Sequence, residues 1–124
     1  ELKASMSANS FVKHVKKQLH MPSVRFTGDL NSQVKTVAVI GGSGIGFEYA
    51  AAKKGADIFV TGDIKYHDAL DAKIAGINLL DINHYSEYVM KDGLRQLLIT
   101  WLDDEEIDFN INASQLNTDP FEYI

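Results

Sequence analysis

Apolar side chains return at helical spacing early in the chain and at strand spacing soon after. Phe11, Val12, Val15 and Leu19 fall on one face of a helix that Ser7 can cap and that Met21-Pro22 ends. "VRFTG", from Val24 to Gly28, predicts a short strand, and "GDLNSQ" a polar turn. "KTVAVIGG" is unbroken and β-branched, the pattern of a strand buried on both faces. "FEYAAAKK" predicts a helix stopped by Gly55, with lysines in the last turn where the helix dipole favours them. "ADIFVTG" predicts a strand, "YHDALDAKIA" a helix closed by Gly76, and "INLLDI" another strand. From about Tyr85 to Leu102 the pattern is mostly helical despite Gly93, and "IDFNINAS" predicts a final strand.

Strands that alternate with helices call for an α/β fold around a largely parallel sheet, here as a single domain over residues 1–124. Ligands in such folds collect at the carboxyl ends of the strands. The loops "GGSGIG", "TGDIKYH" and "DINHYSE" each follow a predicted strand and carry polar or titratable residues that a plain connector does not need. They are expected to converge on one edge of the sheet.

The totals narrow the chemistry. The formal charge of −5 and a pI near 5.2 argue against a nucleic-acid surface, which needs clustered Lys and Arg. With no cysteine, thiolate zinc sites and disulfides are excluded, so a metal would be held by His, Asp or Glu. That composition fits the cytoplasm. No apolar run approaches the roughly 20 residues of a membrane span, so no membrane partner is expected. The chain begins at Glu1, and a piece of a longer protein is the expectation.

Gly41, Gly42, Ser43, Gly44 and Gly46 could cradle a small anion or serve only as a tight strand-to-helix turn. The spacing G-x-G-x-x-G is absent, as is the P-loop ending in Lys-Ser/Thr. A short-chain dehydrogenase loop, G-x-x-x-G-x-G, is one residue out of register, and the Y-x-x-x-K pair Tyr49 and Lys53 sits too early in the chain for that family. The spacing therefore disfavours a nicotinamide-dependent oxidoreductase and leaves Gly42 and Ser43 as backbone-turn or anion-contact candidates.

His84 and Glu87 form H-x-x-E at the start of a helix, where an imidazole and a carboxylate three positions apart can reach one cation. The same pair also suits a solvated first turn, where the dipole favours Glu. Asp63 and His67 lie at the neighbouring loop; alone, Asp63 suits a helix N-cap and His67 an exposed surface. Together the four titratable groups are the usual makings of a metal site with its supporting shell. Asp81 precedes the third loop and is placed to orient it through hydrogen bonds. His14 and His20 are assigned to the first helix without a role. "DDEE" (Asp103 to Glu106) is a solvated helix terminus, and "TDPF" a proline turn in which Phe121 packs the tail down.

"VAVIGGSG", "GADIFVTGDIKYHDALDA", "GINLLDINHYSE" and "TDPF" together resemble the carboxyl-terminal lobe of the GTP cyclohydrolase I type 2 homologues, also called NGG-one-interacting-factor-three-like proteins. The motifs T-G-D then K-Y-H, followed by H-Y-x-E, occur in family order, and the resemblance runs over nearly the whole chain. It implies one lobe of a two-lobe fold with a dinuclear divalent-metal site, to which H-Y-x-E contributes His84 and Glu87. Asp63 and His67 fall near that site, as candidates for binding substrate, supporting the metal ligands or shuttling a proton. The family's remaining ligands, two adjacent histidines and an aspartate, belong to an amino-terminal lobe; no His-His pair occurs here. Ring-shaped homohexamers with metal sites facing an inner cavity are also implied for the full-length protein.

The activity the resemblance implies is hydrolytic: metal-activated water opens the guanine imidazole ring of GTP and formate is released. His and carboxylate ligands suit zinc, manganese and iron alike. The alternative is a non-catalytic metal-binding regulatory or scaffold protein that acts through partners.

Overall fold

The computed structural model describes residues 1–105 and 109–124. Ser7 caps the first helix as its sequence predicts: its hydroxyl accepts from the Ser10 N–H at 3.2 Å, and α1 runs Ala8–Gln18. The helix closes before Met21-Pro22. His20 adopts a left-handed φ of 47°, and the N–H groups of His20 and Met21 donate back to the carbonyls of Lys17 and Lys16 at 3.2 and 3.0 Å, the paired bonds that satisfy a helix's last carbonyls. The short strands β1 (Met6–Ser7) and β3 (Gln33–Val34) flank α1 in sequence and pair antiparallel as a separate two-stranded sheet.

The main sheet contains β2 (Arg25–Thr27), β4 (Val37–Ser43), β5 (Ile58–Gly62) and β6 (Leu79–Asp81), in the spatial order β2-β6-β5-β4. β4, β5 and β6 are mutually parallel, joined by α2 (Glu48–Lys53) and α3 (Tyr66–Ile74), and β2 pairs antiparallel with β6. This is the α/β, largely parallel architecture that the alternation predicts, with one antiparallel edge. Side chains of the central strand alternate between two cores. Ile58 and Val60 join Phe11 of α1, Val34, Leu80 and Ile82 on one face. Phe59 joins Leu79, Ile64 and Ala72 of α3 on the other. β5 and β6 are buried throughout, as strands covered on both faces must be.

β4 departs from its sequence reading. It is a sheet edge, and Val39 is 62% exposed. Its apolar run reflects β-propensity more than burial, because an edge strand has a neighbouring strand on one side only. At its start the edge is clamped: the Asp57 carboxylate accepts from the backbone N–H groups of Lys35 and Thr36, both at 2.8 Å. The Thr36 bond and then the Lys35 bond hold Asp57 below its ordinary pKa.

After β6 the chain enters a 3-10 helix, His84–Val89, and then α4, Met90–Asp104. Asp103 and Asp104 end α4 in solvent as expected; Glu106 of the same acidic run lies outside the described residues. The strand expected from "IDFNINAS" is not formed over residues 109–114, and its first two residues lie outside the description. Residues 109–114 pair with neither sheet edge. The segment runs beside α4, where Arg95 Nε donates to the Ile111 carbonyl at 3.0 Å and Lys91 Nζ to the Leu116 carbonyl at 3.1 Å. Side chains of the helix thus take the place of a partner strand. Phe121 does not pack the tail down: it is 65% exposed. The tail is tied instead through the Thr118 N–H, which donates to the Tyr85 hydroxyl at 3.3 Å, and through a bond between Asn83 Nδ2 and the Tyr123 hydroxyl. Among the described residues, no helix is long and apolar enough to cross a membrane.

Candidate functional site

The three loops do converge. At the carboxyl ends of β4, β5 and β6 the backbone bends through a left-handed residue each time: Gly42 at φ 63°, Asp63 at 57° and Asn83 at 63°. Glycine takes a positive φ freely, and Asp and Asn are among the few other residues that tolerate its left-handed helical form; Asn83, with ψ 153°, lies outside that form, in a region strained for any side chain.

Buried polar groups tie these bends together. The Thr61 hydroxyl, fully buried on β5, accepts from the Gly44 N–H at 2.8 Å and donates to the Gly42 carbonyl at 3.2 Å. Asp81, 4% exposed at the end of β6, holds the other two loops. One carboxylate oxygen accepts from the Asn83 N–H at 2.9 Å; the other accepts from the Ile64 N–H at 3.3 Å and from the Arg25 guanidinium. Asp81 therefore sets the backbone beside both Asp63 and His84, the orienting role its position in the sequence suggests. Arg25 also donates to the Ile64 carbonyl at 2.8 Å.

Because side chains at i and i+3 eclipse in a 3-10 helix, His84 and Glu87 stand one above the other, with His84 Nε2 3.7 Å from Glu87 Oε2. The opposite ring nitrogen, Nδ1, lies 2.7 Å from Asp63 Oδ2. Gly42 abuts the pair: a Cβ there would sit 2.8 Å from Glu87 Oε1 and 3.5 Å from His84 Cε1. A side chain in place of the glycine hydrogen would intrude on the carboxylate and require an L-residue at positive φ.

The Asp63 hydrogen bond, then the charges of Asp63 and Glu87, raise the His84 pKa above its ordinary 6.5. A pKa raised on folding means that the ion pair's contribution to stability is present below pH 6.5 and lost as pH rises through the folded-state value. In an NMR titration of metal-free protein, His84 is expected to titrate above 6.5, and Asp63→Asn to lower its midpoint. A midpoint unmoved by that substitution would remove Asp63 from the role.

Four of the six residues singled out by sequence thus meet: His84, Glu87, Asp63 and Gly42. Asp63 does not cap α3. That helix starts after Lys65, whose N–H is taken by Asp68 Oδ2 at 3.3 Å, which leaves the Asp63 carboxylate to His84. Ser43 is exposed beside Gly42. His67 is exposed on α3, edge-on to Tyr66 with ring centroids 5.3 Å apart, and makes no hydrogen bond to the His84 group. Sequence patterns do not single out Arg25, Thr61 or Gly62. The T-G-D string carried a signal for the last two, whereas a lone arginine on a short strand carries none.

The chain as a whole has relatives among known proteins. A family profile described as Duf34/NIF3 (NGG1p interacting factor 3) matches residues 1–120. A protein described as a GTP cyclohydrolase 1 type 2 homolog, from Staphylococcus aureus (strain MRSA252), is 59% identical over 124 residues, covering 100% of this chain and 34% of that protein. One of the same description from Staphylococcus epidermidis is 63% identical over 123 residues, 99% of this chain and 34% of that protein. The crystal structure of Staphylococcus aureus protein SA1388 matches 100% of this chain and 40% of its own, with a TM-score of 0.96 and 58% identity. That of a Bacillus cereus protein related to NIF3 matches 99% and 34%, with a TM-score of 0.89 and 41% identity. The chain spans about a third of the length of the curated relatives it matches.

Proposed function

This chain belongs to the Duf34/NIF3 (NGG1p interacting factor 3) family, and we propose that it supplies His84 and Glu87 as ligands of a divalent cation in a longer, hydrolase-like protein. The observation that carries the reading is the orientation of His84. With Nδ1–H donating to Asp63, the imidazole is fixed as the tautomer whose Nε2 lone pair is free, the carboxylate-histidine arrangement found behind metal-bound histidines. The free nitrogen faces Glu87 Oε2 across 3.7 Å. That is less than the sum of two metal-ligand bonds of about 2 Å each, so one cation can touch both donors, and Gly42 keeps the adjoining space clear of side chain.

Among the described residues no three His, Cys, Asp or Glu side chains are grouped to hold an ion; Asp63 is engaged on the far side of the ring. The reading therefore assigns the remaining ligands to another part of the longer protein, and a second cation and ring-shaped hexamers to the full assembly. When bound, zinc, manganese or iron at such a site supplies Lewis acidity and makes a hydroxide nucleophile available near neutral pH. His84 ligates only while neutral, so binding weakens as pH falls through its raised pKa. Asp63 orients the ring, Asp81 holds the loops, and the Gly42 carbonyl and Thr61 hydroxyl keep the glycine turn in place.

The reaction extended from the relatives' description is hydrolytic opening of the guanine imidazole ring of GTP. A metal-holding scaffold is the second reading, favoured by an exposed apolar stripe on α4 formed by Met90, Leu94, Leu97 and Trp101, a surface suited to partners. Metal content by mass spectrometry tests the shared premise. The full-length protein is expected to carry about two ions per subunit, as dinuclear hydrolytic sites do, with a clear loss in His84→Ala and in Glu87→Ala. Unchanged content in both variants would sink the assignment. If metal is present, formate release from GTP decides between enzyme and scaffold.

A further inference from the structure

α4 buries none of its residues. Leu98 and Leu102 turn toward the tail, where they share a cleft with Phe109 and Ile111. Met90, Leu94, Leu97 and Trp101 lie on a different side and are between 47% and 70% exposed. Their spacing of four, three and four residues matches successive d and a positions of a heptad, a seam one side chain wide. A seam that narrow fits one helix; a sheet or a whole lobe needs a broader apolar face. The flank of the seam also suits a close neighbour. Gly93 and Thr100 stand one heptad apart along it. Glycine weakens a helix interior, yet Gly93 has ordinary helical backbone, and a Cβ on it would meet nothing within 4 Å among the described residues. A second helix gives the glycine a reason, because small residues beside a contact let two helix axes approach.

We propose that this seam is a two-fold contact in which α4 packs antiparallel against α4 of a second copy of the chain. Shape and charge both select that arrangement. Antiparallel pairing sets Leu94 against Leu97 of the partner subunit and Met90 against the partner's Trp101, a flexible thioether on an indole. Parallel pairing would instead stack Trp101 on Trp101. Lys91 flanks the start of the seam, and Asp104 and Glu105 flank its end. Antiparallel helices therefore bring an ammonium toward carboxylates at both ends and oppose their dipoles, whereas parallel helices align like charges. A two-fold contact needs a patch that complements itself, and this one does. At about 1.5 Å per residue the seam is roughly 16 Å long, so it is one contact of a larger assembly. The inference thus rests on the reading that the full-length protein is a homo-oligomer; it makes no use of the metal.

Light scattering on the full-length protein is the test, with two variants of different kinds. Leu97→Glu puts a charge into the seam, and Gly93→Gln puts a side chain into the close approach while favouring the helix itself. Both are expected to lower the assembled mass about twofold or more, as loss of a two-fold contact divides paired subunits, with native circular dichroism retained. Ile74→Glu, the same change at an exposed apolar position on α3, should leave the mass unaltered. Orientation is read from co-expressed Leu94→Cys and Leu97→Cys proteins, one isotopically labelled, oxidised and mapped by mass spectrometry. Links between position 94 of one copy and position 97 of the other should outnumber 94–94 and 97–97 links; the reverse overturns the antiparallel arrangement. Unchanged mass in both seam variants overturns the contact, and a lowered melting temperature at unchanged mass shows that the stripe packs within one subunit, which overturns it equally. A monomeric wild-type protein refutes the assembly reading and the seam together, whereas an oligomer indifferent to both substitutions refutes the seam alone.

Discussion

Gly62→Ala is expected to lower stability by about 1–3 kcal/mol, the usual cost of overpacking a filled interior, and to weaken metal binding with it. Gly62 ends the central strand β5, between the glycine turn and the loop that carries His84. A Cβ there would lie 2.8 Å from the Gly42 carbonyl oxygen, 2.9 Å from the Asn83 carbonyl carbon and 3.0 Å from its oxygen. All three atoms are backbone, so no side chain can swing aside. β5 is hydrogen-bonded on both sides and cannot retreat. The neighbouring bends must move apart, which separates the Gly42 turn from the His84 and Glu87 pair. Denaturant unfolding should show a lower midpoint with an unchanged slope, since native compactness is retained. A variant with wild-type stability and wild-type metal content would show that the bends are looser than their contacts imply. Gly42 is a useful contrast: the nearest obstacle to its Cβ is the mobile end of Glu87, so substitution there acts mainly through backbone strain at positive φ.

Asp81→Ala is expected to cost on the order of 2–3 kcal/mol and to lower metal affinity by about 10- to 100-fold, the range for losing a group that supports metal ligands. The carboxylate is buried, and it satisfies the N–H groups of Ile64 and Asn83. Removing it orphans both, and each sits next to a residue of the site: Ile64 follows Asp63, and Asn83 precedes His84. The ion pair with Arg25 contributes less, because the Arg25 side chain is 72% exposed and solvent screens it. Arg25→Ala should therefore cost about 1 kcal/mol or less and leave metal content nearly intact. Were Arg25→Ala as damaging as Asp81→Ala, the ion pair would be the important partner and the backbone bonds secondary. Asp81→Asn is an intermediate case. Its single carbonyl can serve one loop, and its amide then presents a donor to the other.

Much of this was legible along the chain. The helices and central strands follow from local periodicity: Phe11, Val12, Val15 and Leu19 mark one helix face, and the apolar runs before "TGD" and "DINH" are strands buried on both sides. H-x-x-E needed only one helical turn to bring His84 and Glu87 together. Less local features were not legible. The run Val37–Ile40 reads the same at a sheet edge as at its centre, and "IDFNINAS" alternates like a strand although its described residues, 109–114, pair with neither edge of the sheet.

Amino-acid pattern alone thus determined the βαβαβ order, the glycine turn and the H-x-x-E pair, because each depends on residues within a turn or a strand of one another. Only the tertiary structure decided that Asp63, a plausible helix cap, gives its carboxylate to His84 across 21 positions. The same holds for β2 joining the sheet antiparallel and for the tail meeting α4 in place of a strand. A polar side chain bonds whichever donor the fold brings within about 3 Å. Which donor that is depends on strand order and packing between distant segments, and no local pattern encodes it.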